Sequence, residues 1–267
     1  MATVASEVIS QKKKKSLNDV LYPWYFPTAL VIIWETVARL GLVKEHILPA
    51  PTKILSTMGA LIANGELITH FLVSGERVIL GFLLGAFTGI VLGILTGFIK
   101  LGEELLDPTL QMLRTIPLLA LIPLCILWFG VGEFGKVLMI ALGAFFPVYV
   151  NIFLGIRLVD QKLFEVTSIL QFSFKDKLIR LIFPSAMPNV LLGLRLAMGV
   201  SWLVLVVSEM MGASAGIGYM IQDARAYSQT DIVFVGLVMF AVLGKLTDLI
   251  IYAIEKRTLK WRDTYSG

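Results

Sequence analysis

Reactive side chains are scarce in this 267-residue chain. A single cysteine, Cys125, excludes an intrachain disulfide. The two histidines, His46 and His70, stand in no H-E-x-x-H register, which excludes that zinc site. Charge is also short: Asp, Glu, Lys and Arg supply 16% of residues, against roughly 25% in soluble domains. Apolar residues reach 57%, and the mean hydropathy is +0.83 over the whole length. These values exclude a disordered chain, a coiled coil, a collagen-like fibre and a small disulfide scaffold. What is present instead is apolar sequence in membrane-spanning lengths, so the chain reads as an all-α integral membrane protein.

A bilayer core of about 30 Å asks for about 20 mostly apolar residues per helix. Six stretches qualify: Leu21 to Leu42, Val78 to Ile99, Thr115 to Gly132, Val137 to Ile156, Met187 to Ser208 and Ile232 to Ile254. The third reaches back to Pro108 if Arg114 is accommodated. The first is the weakest, interrupted by Glu35 and Arg39, whose i,i+4 spacing lets them pair. The expected organisation is an N-terminal tail (1–20), the first span (21–42), an outer loop (43–77), a five-helix core (78–254) with an inner loop at 157–187, and a C-terminal tail (255–267). Within the outer loop, Pro49 and Pro51 suit the start of an amphipathic helix through Ile54, Met58 and Leu61. Lys12 to Lys15 precede the first span and place both termini in the cytoplasm. The same alternation puts Lys100, Arg157, Lys162, Lys175, Lys177, Arg180, Lys256 and Arg257 inside. Chiefly Lys44, Lys53, Lys136 and Arg225 lie outside. This one-sided distribution, rather than nucleic-acid binding, explains the net charge of +4.

The second span carries Gly81, Gly85, Gly89, Gly93 and Gly97. Glycine costs about 1 kcal/mol per interior helix position, so a stripe on one face implies close approach of another helix, in this subunit or a twin. The third span holds Pro108, Pro117 and Pro123, each favouring a kink. The segment Gly130 to Val137 superficially matches two nucleotide-binding patterns. The residue after Lys136 is Val137 rather than Ser or Thr, and the context is a short turn between apolar spans, so neither applies. The chain is therefore expected to hold no cofactor or metal and to lack ATP hydrolysis of its own. The stretch Gly212 to Tyr219 reads as a flexible outer element of the path.

The inner loop Arg157 to Pro188 is the longest polar connection. Asp160 caps a short helix through Leu163, Phe164, Val166 and Leu170. Ser173 and Asp176 form a capping box for a second helix, Phe174 to about Phe183, stopped by Pro184. Within it, Glu165-Val-Thr-Ser-Ile-Leu-Gln171 followed by Leu181-Ile-Phe-Pro184 resembles the EAA loop of ABC importer permeases (E-A-A-x-x-x-G-x9-I-x-x-P). It departs from that pattern at Val166, Thr167 and Gln171. Leu113-Arg-Thr-Ile-Pro117, Ala120 to Leu124, Ile126 to Gly130, Phe146 to Asn151 and Gly193 to Gly199 are similar to the nitrate, sulfonate and taurine permease group. Ser214 to Tyr219 and Gln229 to Asp231 look most like its aliphatic sulfonate members.

The resemblance implies a type I ABC importer (MetI-like) permease fold of six transmembrane helices. It implies a homodimer in the bacterial inner membrane, two copies of a separate ATPase that binds ATP and Mg, and an extracytoplasmic solute-binding protein. It further implies that Leu163, Phe164, Glu165, Gln171 and Pro184 couple the chain to the ATPase, with Glu165 making the polar contact. Asn151, Arg195, Ser201, Trp202 and Ser208 are polar or amphipathic residues in spans and are candidates for the translocation path. For Arg195, snorkelling to the inner surface is the competing reading. Glu209, near the outer end of its span, reads as a structural or docking contact. Taurine and nitrate stay open as substrates. The rival class is a proton-coupled secondary transporter using Glu35, Glu209 or Asp248, but the inverted repeats it requires are not found.

Overall fold

The computed structural model describes residues 17–259; the lysine-rich N-terminal tail and the end of the C-terminal tail lie outside them. Among the described residues all regular structure is helical. The helices are α1 (Leu17–Arg39), α2 (Pro51–Ala63), α3 (Glu66–Phe98), α4 (Lys100–Arg114), α5 (Ile122–Phe129), α6 (Glu133–Arg157), α7 (Gln161–Ile169), the single turn α8 (Phe174–Asp176), α9 (Phe183–Met210), α10 (Ile217–Ala226) and α11 (Thr230–Thr258). A 3-10 turn, Leu118–Leu121, precedes α5, and a π turn, Lys177–Ile182, leads into α9.

The glycine stripe finds its partner inside the chain. A Cβ added at Gly81 would meet Ile140, at Gly85 the Ala141 carbonyl, at Gly89 the Phe145 carbonyl, at Gly93 Ile152 and at Gly97 Ile156, all at 2.2–2.9 Å. Only hydrogen side chains let α3 and α6 lie this close, and the reward is continuous contact along both backbones. The opposite side of α6 packs on α9 by the same device. A Cβ at Gly143 would press on Val204, at Gly155 on Asn189, and at Gly193 on Asn151. So α6 forms the centre of the bundle, with Met139, Ile140, Ala144, Val148, Tyr149 and Ile152 all buried.

Among the described residues, four segments are long and apolar enough to cross a membrane: Glu66–Phe98, Glu133–Arg157, the continuous Lys177–Met210 and Thr230–Thr258. At about 1.5 Å per residue, the 33 residues of α3 exceed a 30 Å core, so its first turns extend beyond it. The expected count of six is not reached by this measure. The first span, α1, falls outside the set: it includes Pro23, Pro27, Glu35 and Arg39. The expected third span is broken. Lys100–Arg114 and Leu118–Phe129 meet at 84° and give a fifth crossing when counted as one. The cause is local. Pro117 adopts an extended conformation (φ −61°, ψ 110°), and a residue preceding proline is steered away from helix. The stretch from Lys100, expected as an inner loop leading into that span, is instead the helix α4, without a buried residue. The Tyr149 hydroxyl of α6 donates to Asp107 of α4 at 2.6 Å, and Arg157 pairs with Glu103, tying α4 along the C-terminal half of α6.

The outer loop forms α2 from Pro51, with Ile54 and Leu61 buried. Glu35 of α1 caps α2, accepting from the Thr52 backbone N–H at 3.1 Å and the Thr52 hydroxyl at 2.8 Å. The same carboxylate pairs with Arg39 at 2.5 Å.

Candidate functional site

The inner loop is built as a chain of caps. Asp160 accepts from the Lys162 N–H at 2.9 Å and starts α7. The helix closes with the Phe172 N–H donating to the Thr167 carbonyl at 2.9 Å, while Gln171 adopts the left-handed conformation at φ +53°. This is the closing geometry that ordinarily selects glycine, which explains why the resembling motif carries one at this position. Ser173 then accepts from the Asp176 N–H at 3.2 Å and donates to its carboxylate at 2.6 Å, the expected box. The second helix does not stop at Pro184. A π turn carries it into α9, where Pro184 occupies the first turn. Proline is tolerated there because its missing N–H falls among groups that lack a normal helical partner.

Around α7 the coupling candidates divide. Phe164 is half-buried against the cluster of Val159, Leu181 and Ile182, so it anchors α7 to its own bundle. Leu163, Glu165, Val166, Ile169 and Leu170 face outward, with Ile169 80% exposed. Beside them an open cavity of about 630 Å³ is lined by Glu165, Arg157 and Lys177. The result is an exposed apolar patch with one carboxylate at its edge, the composition expected of a surface that buries side chains against a partner.

The path candidates also separate. Asn151 lines an open cavity of about 510 Å³ between the middles of α6 and α9, its amide donating to the Pro147 carbonyl at 2.8 Å. Arg195 faces α11, where it pairs with Asp248 at 2.5 Å and Glu255 at 3.6 Å. Trp202 also faces α11, donating to the Thr247 hydroxyl at 3.2 Å. Ser201 and Ser208 are buried and bond backward to carbonyls of their own helix, Ala197 and Leu205. Of the five, Asn151 alone lines this central cavity.

At the end of the bundle opposite α7, an ionic network joins α3, α6, α9 and the segment before α10. Arg77 donates to Glu209 at 2.7 Å and to the Ala215 carbonyl at 2.6 Å. Its other nitrogens donate to Glu133 at 2.5 and 2.6 Å, and Lys136 donates to Glu133 at 3.0 Å. Glu209 also accepts from Ser74 and from the Gly218 N–H, both at 2.8 Å. Ser74 accepts from the Ile217 N–H at 2.8 Å, and His70 from the Gly216 N–H at 3.0 Å. Gly216 sits at φ +122° with no room for a Cβ, which would fall 2.4 Å from the Glu209 carboxylate. The segment read from sequence as a flexible outer element is therefore tethered at consecutive backbone positions. Arg77 and Ser74 escaped sequence reasoning, although Arg77 lies four residues before Gly81 and so continues the stripe that faces α6.

Helices long and apolar enough to span a bilayer, a short helix α7 with an exposed apolar patch and an open cavity between spans fit a membrane permease. The sequence comparisons identify the family. Residues 89–260 match the binding-protein-dependent transport system inner membrane component, and the chain belongs to that family. It is 54% identical over 262 residues to a putative aliphatic sulfonates transport permease protein of Bacillus subtilis, covering 98% of this chain and 95% of the relative. It is 40% identical over 243 residues to the Escherichia coli protein so described, covering 91% and 92%. The taurine transport system permease protein of Escherichia coli is 33% identical over 237 residues, covering 87% and 86%. Membership makes the chain an inner-membrane transport component rather than an enzyme.

Proposed function

We propose that this chain is the permease of an importer that moves aliphatic sulfonates into the cytoplasm for sulfur assimilation. Two copies form the pore, two copies of an ATPase bind ATP and Mg on the inner side, and an extracytoplasmic solute-binding protein delivers the anion. Both termini lie in the cytoplasm. The observation that carries the reading is α7: Leu163, Val166, Ile169 and Leu170 stand exposed beside Glu165 on the longest polar connection between spans. Burial of that patch in the ATPase supplies affinity, and Glu165 fixes its register. Closure of the ATPase dimer then tilts α9 through the continuous π turn. The 54% identity to the Bacillus subtilis sulfonate permease supports the substrate class over taurine or nitrate.

The test is uptake of labelled ethanesulfonate into inside-in vesicles containing the assembled importer. Uptake is expected to stop on ATP depletion and to persist with an uncoupler. Glu165→Lys is expected to abolish uptake while the protein still inserts. Uptake that collapses with the uncoupler, or that survives Glu165→Lys unchanged, contradicts the proposal.

A further inference from the structure

We propose that the central cavity holds the sulfonate in transit, with Arg114 as the residue that grips its headgroup; this rests on the sulfonate reading above. Cations within the spans are costly and are normally paired. Here Arg77 pairs with Glu133 and Glu209, Lys136 with Glu133, Arg195 with Asp248 and Glu255, and Lys245 with Asp248. Arg114, exposed at the end of α4, has no carboxylate partner among the described residues, and it lines the open cavity beside Asn151. The bend at Thr115–Pro117 ends α4 at Arg114 and delivers this guanidinium opposite the middle of α6. An unpaired guanidinium is matched in geometry to an oxyanion, which it binds through two parallel N–H donors.

The rest of the lining selects among anions. Phe146, Val150, Leu196 and Val200 give an apolar wall, and no acidic residue lines the cavity. A monoanion with a short apolar tail satisfies both parts, head on Arg114 and tail on the wall. A zwitterion of the taurine type finds no carboxylate for its ammonium among these lining residues, and any part of it that leaves water there goes without a partner. The cavity thus favours alkanesulfonates over aminoalkanesulfonates by withholding a counter-charge.

The probes are ethanesulfonate and taurine, which differ by one amino group, applied to the complete importer in proteoliposomes with the same binding protein throughout, so that delivery cancels in comparisons between variants. Arg114→Gln is expected to lower ethanesulfonate uptake by about tenfold or more, as loss of a charged hydrogen bond implies, and Arg114→Lys to recover part of it. Asn151→Asp places a carboxylate in the cavity and is expected to raise the taurine-to-ethanesulfonate uptake ratio by about fivefold. Assembly is checked by co-purification with the ATPase; if Arg114→Gln fails that check, the Asn151→Asp ratio decides. Wild-type uptake in an assembled Arg114→Gln importer, or an unchanged ratio for Asn151→Asp, overturns the assignment. A wild-type importer that carries neither probe overturns the sulfonate reading itself, and the site with it.

Discussion

Replacing Arg77 by methionine isolates the contribution of the outer ionic network. The Glu209 side chain is fully buried and the Glu133 side chain 61% exposed, so the two halves of the network differ in weight. Losing the exposed contact to Glu133, which keeps Lys136, costs about 0–1 kcal/mol. Stranding the buried Glu209 carboxylate costs about 3–5 kcal/mol. Because Ser74 and the Gly218 N–H still donate to it, the lower end applies, about 3 kcal/mol. For a chain of this size that lowers Tm by about 6–12 °C. The protein provides its own reporter. Cys125 is the single cysteine and is 6% exposed, so a thiol-reactive fluorogenic dye signals unfolding of the purified permease in detergent. Pairing Arg77→Met with Glu209→Gln removes the stranded charge while leaving an acceptor for Gly218. The double variant is expected to recover more than half of the lost Tm. An unchanged Tm for Arg77→Met, or a double variant as unstable as the sum of the singles, refutes the reasoning.

Two further substitutions separate helix propensity from packing. In Gly85→Ala the new methyl lies 2.2 Å from the Ala141 carbonyl, whereas in Gly59→Ala nothing lies within 4 Å. The first is expected to destabilise by about 1–3 kcal/mol through overpacking, and the second to stabilise by about 0.5–1 kcal/mol, both read by the same dye assay. Gln171→Gly relieves a left-handed residue that costs roughly 1–2 kcal/mol, partly offset by the greater freedom of glycine in the unfolded chain. The turn after α7 is expected to resist limited proteolysis longer, and faster cleavage there contradicts the assigned strain.

Much of this architecture is legible in the sequence because apolar length and glycine phase are local signals. The stripe from Gly81 to Gly97 announces a close helix neighbour, and Pro51 with Ile54 and Leu61 announces α2. The break at Thr115–Pro117 is hidden because α4 before it carries Lys100, Glu103, Glu104, Asp107 and Arg114 while α5 after it is uncharged, so hydropathy starts a span at Thr115 and does not register the helix that precedes the bend. Pairings across the bundle are also hidden. Arg77 and Glu209 are 132 residues apart, and the partner of Arg195 is set by how α11 crosses α9. Arg195 therefore looks free in sequence and is bound in the fold, while Arg114, passed over as a charge to be accommodated, has no carboxylate partner among the described residues and lines the cavity beside Asn151. Pro184 misleads for a related reason. Proline reads as a helix stop, but the π turn before it moves it into a first turn where it is tolerated.

The most direct test of the account is cross-linking from the exposed face of α7. With Cys125 buried, a cysteine introduced as Ile169→Cys is the accessible thiol of the chain. In intact cells it is expected to escape membrane-impermeant thiol reagents added outside and to form a short cross-link to the ATPase subunit. Labelling from outside, or an absence of cross-link to the ATPase in every nucleotide state, contradicts the claim that this inner helix is where ATP hydrolysis takes hold of the permease.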